Sequence, residues 1–232
     1  MGWKLGLLAS LASACGGKLD DSGGVAEGPH ALTYGDRLSC SESTLSPGDL
    51  GETFTFELWL KSDPGLSSAG HPFMVWQGRV ALWQTSDGFV TMSDASGDVA
   101  GAAYPADLMD QQLHHVAGTW DGEALTVFVD GVRGGFSRSF SPGDGPGQAL
   151  YIGCWPSQER YHEGIIDEVR VSTGVRYTDN FEPSLGAFEI DDDTVRLWHV
   201  DEGFGGTSAD AAGGGDLLLT EVGWLPFVLE EQ

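Results

Sequence analysis

Apolar and polar residues alternate with a period of two along most of this chain. In Leu125-Thr126-Val127-Phe128-Val129, Leu125, Val127 and Val129 fall on one face and Thr126 and Phe128 on the other. The same period puts Phe54, Phe56, Leu58 and Leu60 on one side of an earlier strand. Two Asp-Gly pairs, Asp121-Gly122 and Asp130-Gly131, bracket the 125–129 run. Asp-Gly supplies the positive backbone angles of a tight hairpin turn. The middle of the chain is therefore expected to be a run of antiparallel hairpins, with His114–Trp120 as its first strand.

Further strand candidates are Ala31–Tyr34, Phe73–Trp76, Val80–Trp83, Gly88–Met92, Ala149–Gly153, Gly164–Val171, Thr194–Val200 and Asp216–Leu219. Turn signals separate them, and they recur about every ten residues, the spacing of a β-sandwich. No stretch sustains a helical period beyond a turn or two, and no internal repeat is visible. An all-β fold follows, with residues 29–232 as one domain. At 232 residues the chain is long enough for one large β domain. Its 35 glycines and 10 prolines are scattered, as turns require.

Charge narrows the partners. The chain carries 35 acidic and 11 basic residues, a net charge of −24. Such a surface repels phosphate backbones, so a nucleic-acid partner is not expected. Anionic membranes and anionic polysaccharides are disfavoured unless divalent cations bridge them. Solubility outside the cell is the plain reading of this charge.

The N-terminus supports export. Lys4 precedes the apolar run Leu5–Ala12, and Ala12-Ser13-Ala14 are the small residues of a cleavage site. The run is far shorter than the ~20 residues of a membrane span. Residues 1–14 are read as a removable signal and 15–28 as a flexible tether. Cys15 directly follows the small residues, as in a bacterial lipoprotein signal. Ala12, however, stands where that family usually has leucine. Lipidation at Cys15 and simple cleavage near Ala14 both remain open. Two cysteines are left in the domain, Cys40 and Cys154. An oxidising compartment permits their pairing, and two buried thiols is the alternative. With no Cys-x-x-Cys, a structural zinc site is not expected.

Four pieces in order resemble the laminin-G-like jelly roll of the concanavalin A-like lectin and glucanase superfamily. They are Phe54–Lys61; His114–Gly122 with Val129-Asp130-Gly131; Ile152-Gly153 with Gly164–Val171; and Leu197–Gly203 with Asp210. The resemblance covers about residues 29–225. It implies a two-sheet antiparallel sandwich of roughly 12–14 strands, its ends meeting at one edge. It also implies that His115 packs within the hairpin.

That superfamily includes glycanases, so catalysis needs a test. A retaining glycosidase places two carboxyls about 5–5.5 Å apart on one face, and laminarinase-type relatives set them two apart on one strand. Here Asp167 and Glu168 are adjacent and should point to opposite faces, while Glu163 is separated from Asp167 by Gly164. Asp167 is expected to accept backbone hydrogen bonds. No Gly-x-Ser-x-Gly elbow accompanies His71, His114, His115, His162 or His199. Gly203-Phe204-Gly205-Gly206 and Gly213-Gly214-Gly215 read as turns, not phosphate loops.

Two binding chemistries remain. Calcium takes six to eight oxygens from loop carboxylates and carbonyls, and resembling sandwiches often hold one such ion. The candidates are Asp36, Asp191-Asp192-Asp193 and Asp201 with Asp210, weighed against turn capping. Sugars stack on exposed aromatic rings. Trp59, Trp120 and Trp198 sit in strands and read as core. The loop Trp155–His162 offers Trp155, Tyr161, Gln158 and Arg160 as the sugar-binding candidates. The resulting expectation is a non-catalytic, exported recognition module, with carbohydrate as its partner and calcium as a candidate structural ion. A protein-binding or adhesive module without a sugar site, and a degenerate glycanase, are the alternatives.

Overall fold

Strict alternation needs two different environments for its two faces, and the structure supplies them. A computed structural model describes residues 29–35, 38–64, 70–94, 102–137, 142–143, 145, 147–227 and 229. The signal, Cys15, the tether and Asp36 lie outside the described residues. In chain order the strands are β1 (His30–Tyr34), β2 (Cys40–Thr44), β3 (Phe54–Ser62), β4 (His71–Trp76), β5 (Val80–Gln84), β6 (Phe89–Asp94), β7 (Ala102–Pro105), β8 (His114–Trp120) and β9 (Leu125–Val129). They continue with β10 (Val132–Ser137), β11 (Ala149–Ile152), β12 (Cys154–Trp155), β13 (Arg160–Tyr161), β14 (Gly164–Thr173), β15 (Thr194–Trp198), β16 (Thr207–Ser208), β17 (Leu217–Thr220) and β18 (Val222–Pro226). These exceed the roughly 12–14 strands expected. Part of the excess is two-residue segments, β12, β13 and β16, too short to carry a periodic signal.

The strands form two antiparallel eight-stranded sheets and one two-stranded ribbon. The first sheet runs β10-β9-β8-β3-β14-β1-β18, with β15 also paired to β14. The second runs β16-β17-β2-β11-β4-β5-β6-β7, and β12–β13 is the ribbon. β1 and β18 lie side by side, which closes the domain near its two ends at one edge. The sheets stack as a sandwich. Phe56, Leu58, Leu60, Val116, Val127 and Ile166 of the first meet Met74, Trp76, Leu82, Met92, Leu150 and Leu217 of the second in one buried cluster. Trp59, Trp120 and Trp198 are buried as well. The β9–β10 connection is the two-residue turn that Asp130-Gly131 predicts, with φ of 50° and 71°.

Phe128 and Trp59 sit out of phase with this core because the first sheet is covered on its other face too. After β14 the chain lies across that face. Tyr177 and Phe181 pack on Phe128, while Phe188 packs with Trp59 and Leu197. His115 packs between Trp59, Tyr177, Phe181 and Phe188.

One local expectation fails on β14. Its register against β3 shifts between Asp167 and Arg170, and Glu168 has φ of 46°. This bulge breaks the alternation. Ile166 and Val169, three apart, both enter the core. Asp167 and Glu168 are thus consecutive residues on the outward turn rather than members of opposite faces. The Glu168 amide donates to Asp167 Oδ1 at 2.9 Å, the backbone role expected of Asp167.

Candidate functional site: a ribbon over the second sheet

The loop singled out in the sequence folds back as the β12–β13 ribbon. Gly153 (φ 71°) turns the chain out of β11, and a Cβ there would stand 2.3 Å from the Tyr34 ring. One 3-10 turn, Pro156–Gln158, and Glu159 in the left-handed region reverse direction. The ribbon pairs Cys154 with Tyr161 and Trp155 with Arg160, and the His162 amide donates to the Gly153 carbonyl at 2.7 Å. Cys40 and Cys154 form a disulfide that ties the ribbon to β2, with Cα atoms 5.2 Å apart. The pairing left open by the sequence is therefore made.

Trp155 was expected to be exposed for stacking. It is instead only 2% exposed, because the ribbon presses it against the sheet. It packs with Val75, Ala81 and Trp83, its ring T-shaped to Trp83 at 5.7 Å. The Arg160 guanidinium lies 4.7 Å from the Trp83 ring centre and 5.4 Å from that of Trp155. Burial lowers the Arg160 pKa from its ordinary value. Trp83 donates its indole N–H to Ser93 Oγ at 3.0 Å. Trp155, Trp83 and Arg160 thus clasp the ribbon to the sheet, while Arg160 and Tyr161 stay half-buried and Gln158 exposed.

Strand register extends this site across the sheet. Leu218, Glu42, Tyr151, Val75, Ala81 and Ser93 are successive partners from β17 to β6 on one outward row. The row passes from exposed Leu218 and Glu42, through half-buried Tyr151, to fully buried Val75 beneath the ribbon. Burial and the nearby Glu42 carboxylate raise the Tyr151 phenol's pKa. Tyr151 and Trp83 were not among the sequence candidates. The available signal was their phase: each stands one position out of register with the core residues Leu150, Ile152 and Leu82.

Among the described residues the carboxylates expected around calcium do not converge. Asp191 accepts from Arg176 Nη1 at 2.8 Å and Nη2 at 2.6 Å, and from Thr194 Oγ1 at 2.7 Å. The Arg176 bond holds its pKa well below the carboxylate range. The Asp193 amide donates to Asp191 Oδ1 at 3.2 Å, and Asp201 accepts from the His30 amide at 2.9 Å. Asp210 is buried and accepts backbone amides from Leu197, Ala212, Gly214 and Gly215. Among the described residues no three metal-ligating side chains gather. These groups do not fit a calcium site, because arginine and amide donors already occupy them.

The carboxylates near the first sheet are also committed elsewhere. Glu57 is fully buried and bonds Arg170 Nε at 2.7 Å, Tyr177 Oη at 2.7 Å and His115 Nε2 at 3.2 Å. Burial alone would raise its pKa, but His115 and Arg170 outweigh burial and hold it at about 2. Glu168 binds His199 Nδ1 at 3.0 Å and accepts the Phe188 amide at 2.8 Å. Burial and the Glu168 charge push Asp167 up to about 8.

Comparison with known proteins places this fold. No curated protein matches the sequence. Among solved structures, a Bacteroides ovatus protein provisionally assigned as carbohydrate binding shares 19% identity with a TM-score of 0.67, covering 89% of this chain. This chain spans 64% of that protein's length. Weaker likenesses, each with a TM-score of 0.45, join it to two other structures. One is the Ruminococcus gnavus sialidase CBM40 bound to sialyllactose (17% identity, 61% of this chain and 88% of that one). The other is domains LG4-5 of the mouse laminin α1 chain (13% identity, 68% and 45%). A laminin G family profile matches residues 35–179. This chain belongs to that laminin G family of the concanavalin A-like lectin/glucanases superfamily.

Proposed function

We propose that this protein is a non-catalytic carbohydrate-recognition module, exported from the cell, which contacts sugar on the outer face of its second sheet. The observation that carries this is half-buried Tyr151, packed against the Val75–Ala81–Trp83–Trp155 cluster under the ribbon, together with half-buried Tyr161 on the ribbon itself. Each phenol offers a ring and a hydroxyl; Glu42 is the strand partner of Tyr151, and Arg160 and Gln158 are polar groups of the same ribbon as Tyr161. Aromatic surface with a few fixed polar groups is what sugar sites use. Trp155 supports the site from below. The disulfide and the tryptophan clasp hold the ribbon in place before a ligand arrives, which reduces the ordering cost of binding. The membership in a superfamily of lectins and glucanases agrees with this reading.

A non-catalytic role is supported by the carboxylates. Glu57 and Glu168 are buried and already bonded to Arg170 and His199, and Asp167 is spent on the Glu168 backbone amide. Export is supported by the disulfide, which forms and persists in oxidising compartments. Among the described residues no helix is long and apolar enough to cross a membrane. Attachment through a lipid on Cys15 is part of the proposal, and mass spectrometry of the mature N-terminus decides between an acylated Cys15 and a free one.

A glycan array followed by calorimetry on the hits tests the site. Tyr151→Ala and Tyr161→Ala should each weaken binding about tenfold or more while leaving the melting temperature nearly unchanged. An array with no hits, or hits unaffected by both variants, sinks the proposal. Binding to a surface protein instead would favour the adhesive alternative.

A further inference from the structure

The sandwich opens at the end where β3 begins and where β4 and β8 finish. Phe54 starts β3, Trp76 ends β4 and Trp120 ends β8. With Glu52, Arg79 and Pro142 they line a cavity of about 470 Å³. Ligand sites generally occupy about 300–1,000 Å³. Trp76 faces this cavity while its neighbour Val75 faces the ribbon on the other side of β4, so the two places are distinct.

The walls are fixed. Trp76 donates its indole N–H to the Leu45 and Gly147 carbonyls at 2.8 and 2.7 Å. The Gly143 and Gly145 amides bond the carbonyls of Arg79 and Gly78 in the β4–β5 turn. The polar groups, by contrast, are unspent. Arg79 lies 5.2 Å from the Trp76 ring centre and uses only Nε, on the Gly145 carbonyl at 2.8 Å. Among the described residues its two Nη groups make no hydrogen bond, and the Glu52 carboxylate has no partner. Arg170, Arg176 and Arg196 all have acidic partners. Among the described residues Arg79, Arg133 and Arg160 have no carboxylate partner; Arg133 and Arg160 lie over aromatic rings elsewhere, and Arg79 is the one of the three at this cavity.

We propose that this rim cavity is a second ligand site, for a neutral sugar unit of one or two rings. Its aromatic walls suit the C–H face of a pyranose. The Arg79 fork donates to hydroxyls and Glu52 accepts from them. One cation and one carboxylate together ask for no net charge on the ligand. The volume excludes a long chain. This site does not rest on the outer-face reading.

The test is an NMR titration of the ¹⁵N-labelled mature chain. The probes are glucose, galactose, mannose, N-acetylglucosamine, cellobiose and lactose at millimolar concentration. At least one should shift the Trp76 and Trp120 indole N–H signals. Arg79→Met keeps the packing over Trp76 and Glu52→Gln keeps an exposed polar side chain. Each should raise the Kd about tenfold, the loss of one charged hydrogen bond, whereas Tyr151→Ala should leave it unchanged. If no probe moves these indoles, or if both rim variants bind as the wild type does, the proposal fails. Binding that disappears only with Tyr151→Ala or Tyr161→Ala would overturn the rim site and leave the outer-face site standing.

Discussion

His162 is the most sensitive probe of how the ribbon is held. Its ring is fully buried between Tyr34, Phe73 and His71. No ring nitrogen of His162 or His71 has a hydrogen-bond partner of good geometry among the described residues. Burial, reinforced by His71, pushes His162 down to about 3, with a contact to the Ile165 backbone working weakly the other way. Burial lowers His71 as well. The unfolded chain takes up a proton on His162 below about pH 6.5, and the folded chain refuses it. Stability is therefore full above that pH and is lost as the pH falls toward the folded value.

At pH 5 the loss is 1.5 pH units at 1.36 kcal/mol each, about 2 kcal/mol for His162 alone. Asp167 opposes it. Its pKa is raised to about 8, so its protonated form is favoured by folding and its cost recedes as the pH drops. The wild-type curve alone is thus uninformative. The informative quantity is the difference between the wild type and His162→Phe, in which the contribution of Asp167 cancels. Urea unfolding followed by tryptophan fluorescence, with the disulfide intact, measures it. The variant should gain about 2 kcal/mol on the wild type between pH 7.5 and 5, or about 4–8 °C in Tm. Parallel curves across that range would refute the picture of a dry, uncharged histidine pair.

Three further outcomes follow from single contacts. Cys154→Ser opens a link spanning 114 residues and should cost about 2–4 kcal/mol; calorimetric melting of the variant reads this, and an unchanged Tm would show that the bond does not constrain the unfolded chain. Glu57→Ala leaves Arg170 buried without its carboxylate and should cost about 3–5 kcal/mol in a denaturant titration, whereas Glu57→Gln should cost less because the amide still accepts from Arg170. Asp210→Ala strips the acceptor from four backbone amides of the Leu197–Gly215 turn and should lower stability by about 2–3 kcal/mol. Hydrogen exchange should then quicken at Gly214 and Gly215 first, and unaltered protection there would contradict the assigned role.

Local pattern was enough for the fold class. The period-two runs at 54–60 and 125–129 and the Asp130-Gly131 turn are short-range features, decided by side-chain parity and backbone angles within a few residues. They became β3, β9 and the turn into β10 as expected. The order of four such pieces was enough for the family. Strands β2 and β18 went unread because their residues alternate weakly and are held by partners distant in the chain, and β7 and β10 because they are edge strands with little apolar alternation of their own. The bulge at Glu168 was invisible for a similar reason: a register shift is a property of two strands, not of one.

The ribbon shows the same division. Its sequence singled out Trp155, Gln158, Arg160 and Tyr161 as candidates, and only the tertiary structure placed them, Trp155 buried, Arg160 and Tyr161 half-buried and Gln158 exposed. A tryptophan beside a proline reads as exposed until Val75, Ala81 and Trp83 are seen beneath it. Asp191 reads as a calcium ligand until Arg176 is found on it. Composition and alternation determine which faces must be buried, because burial energy follows side-chain type. Which partner meets each face is settled only when strands far apart in sequence are brought into register, because contact energy depends on position in space.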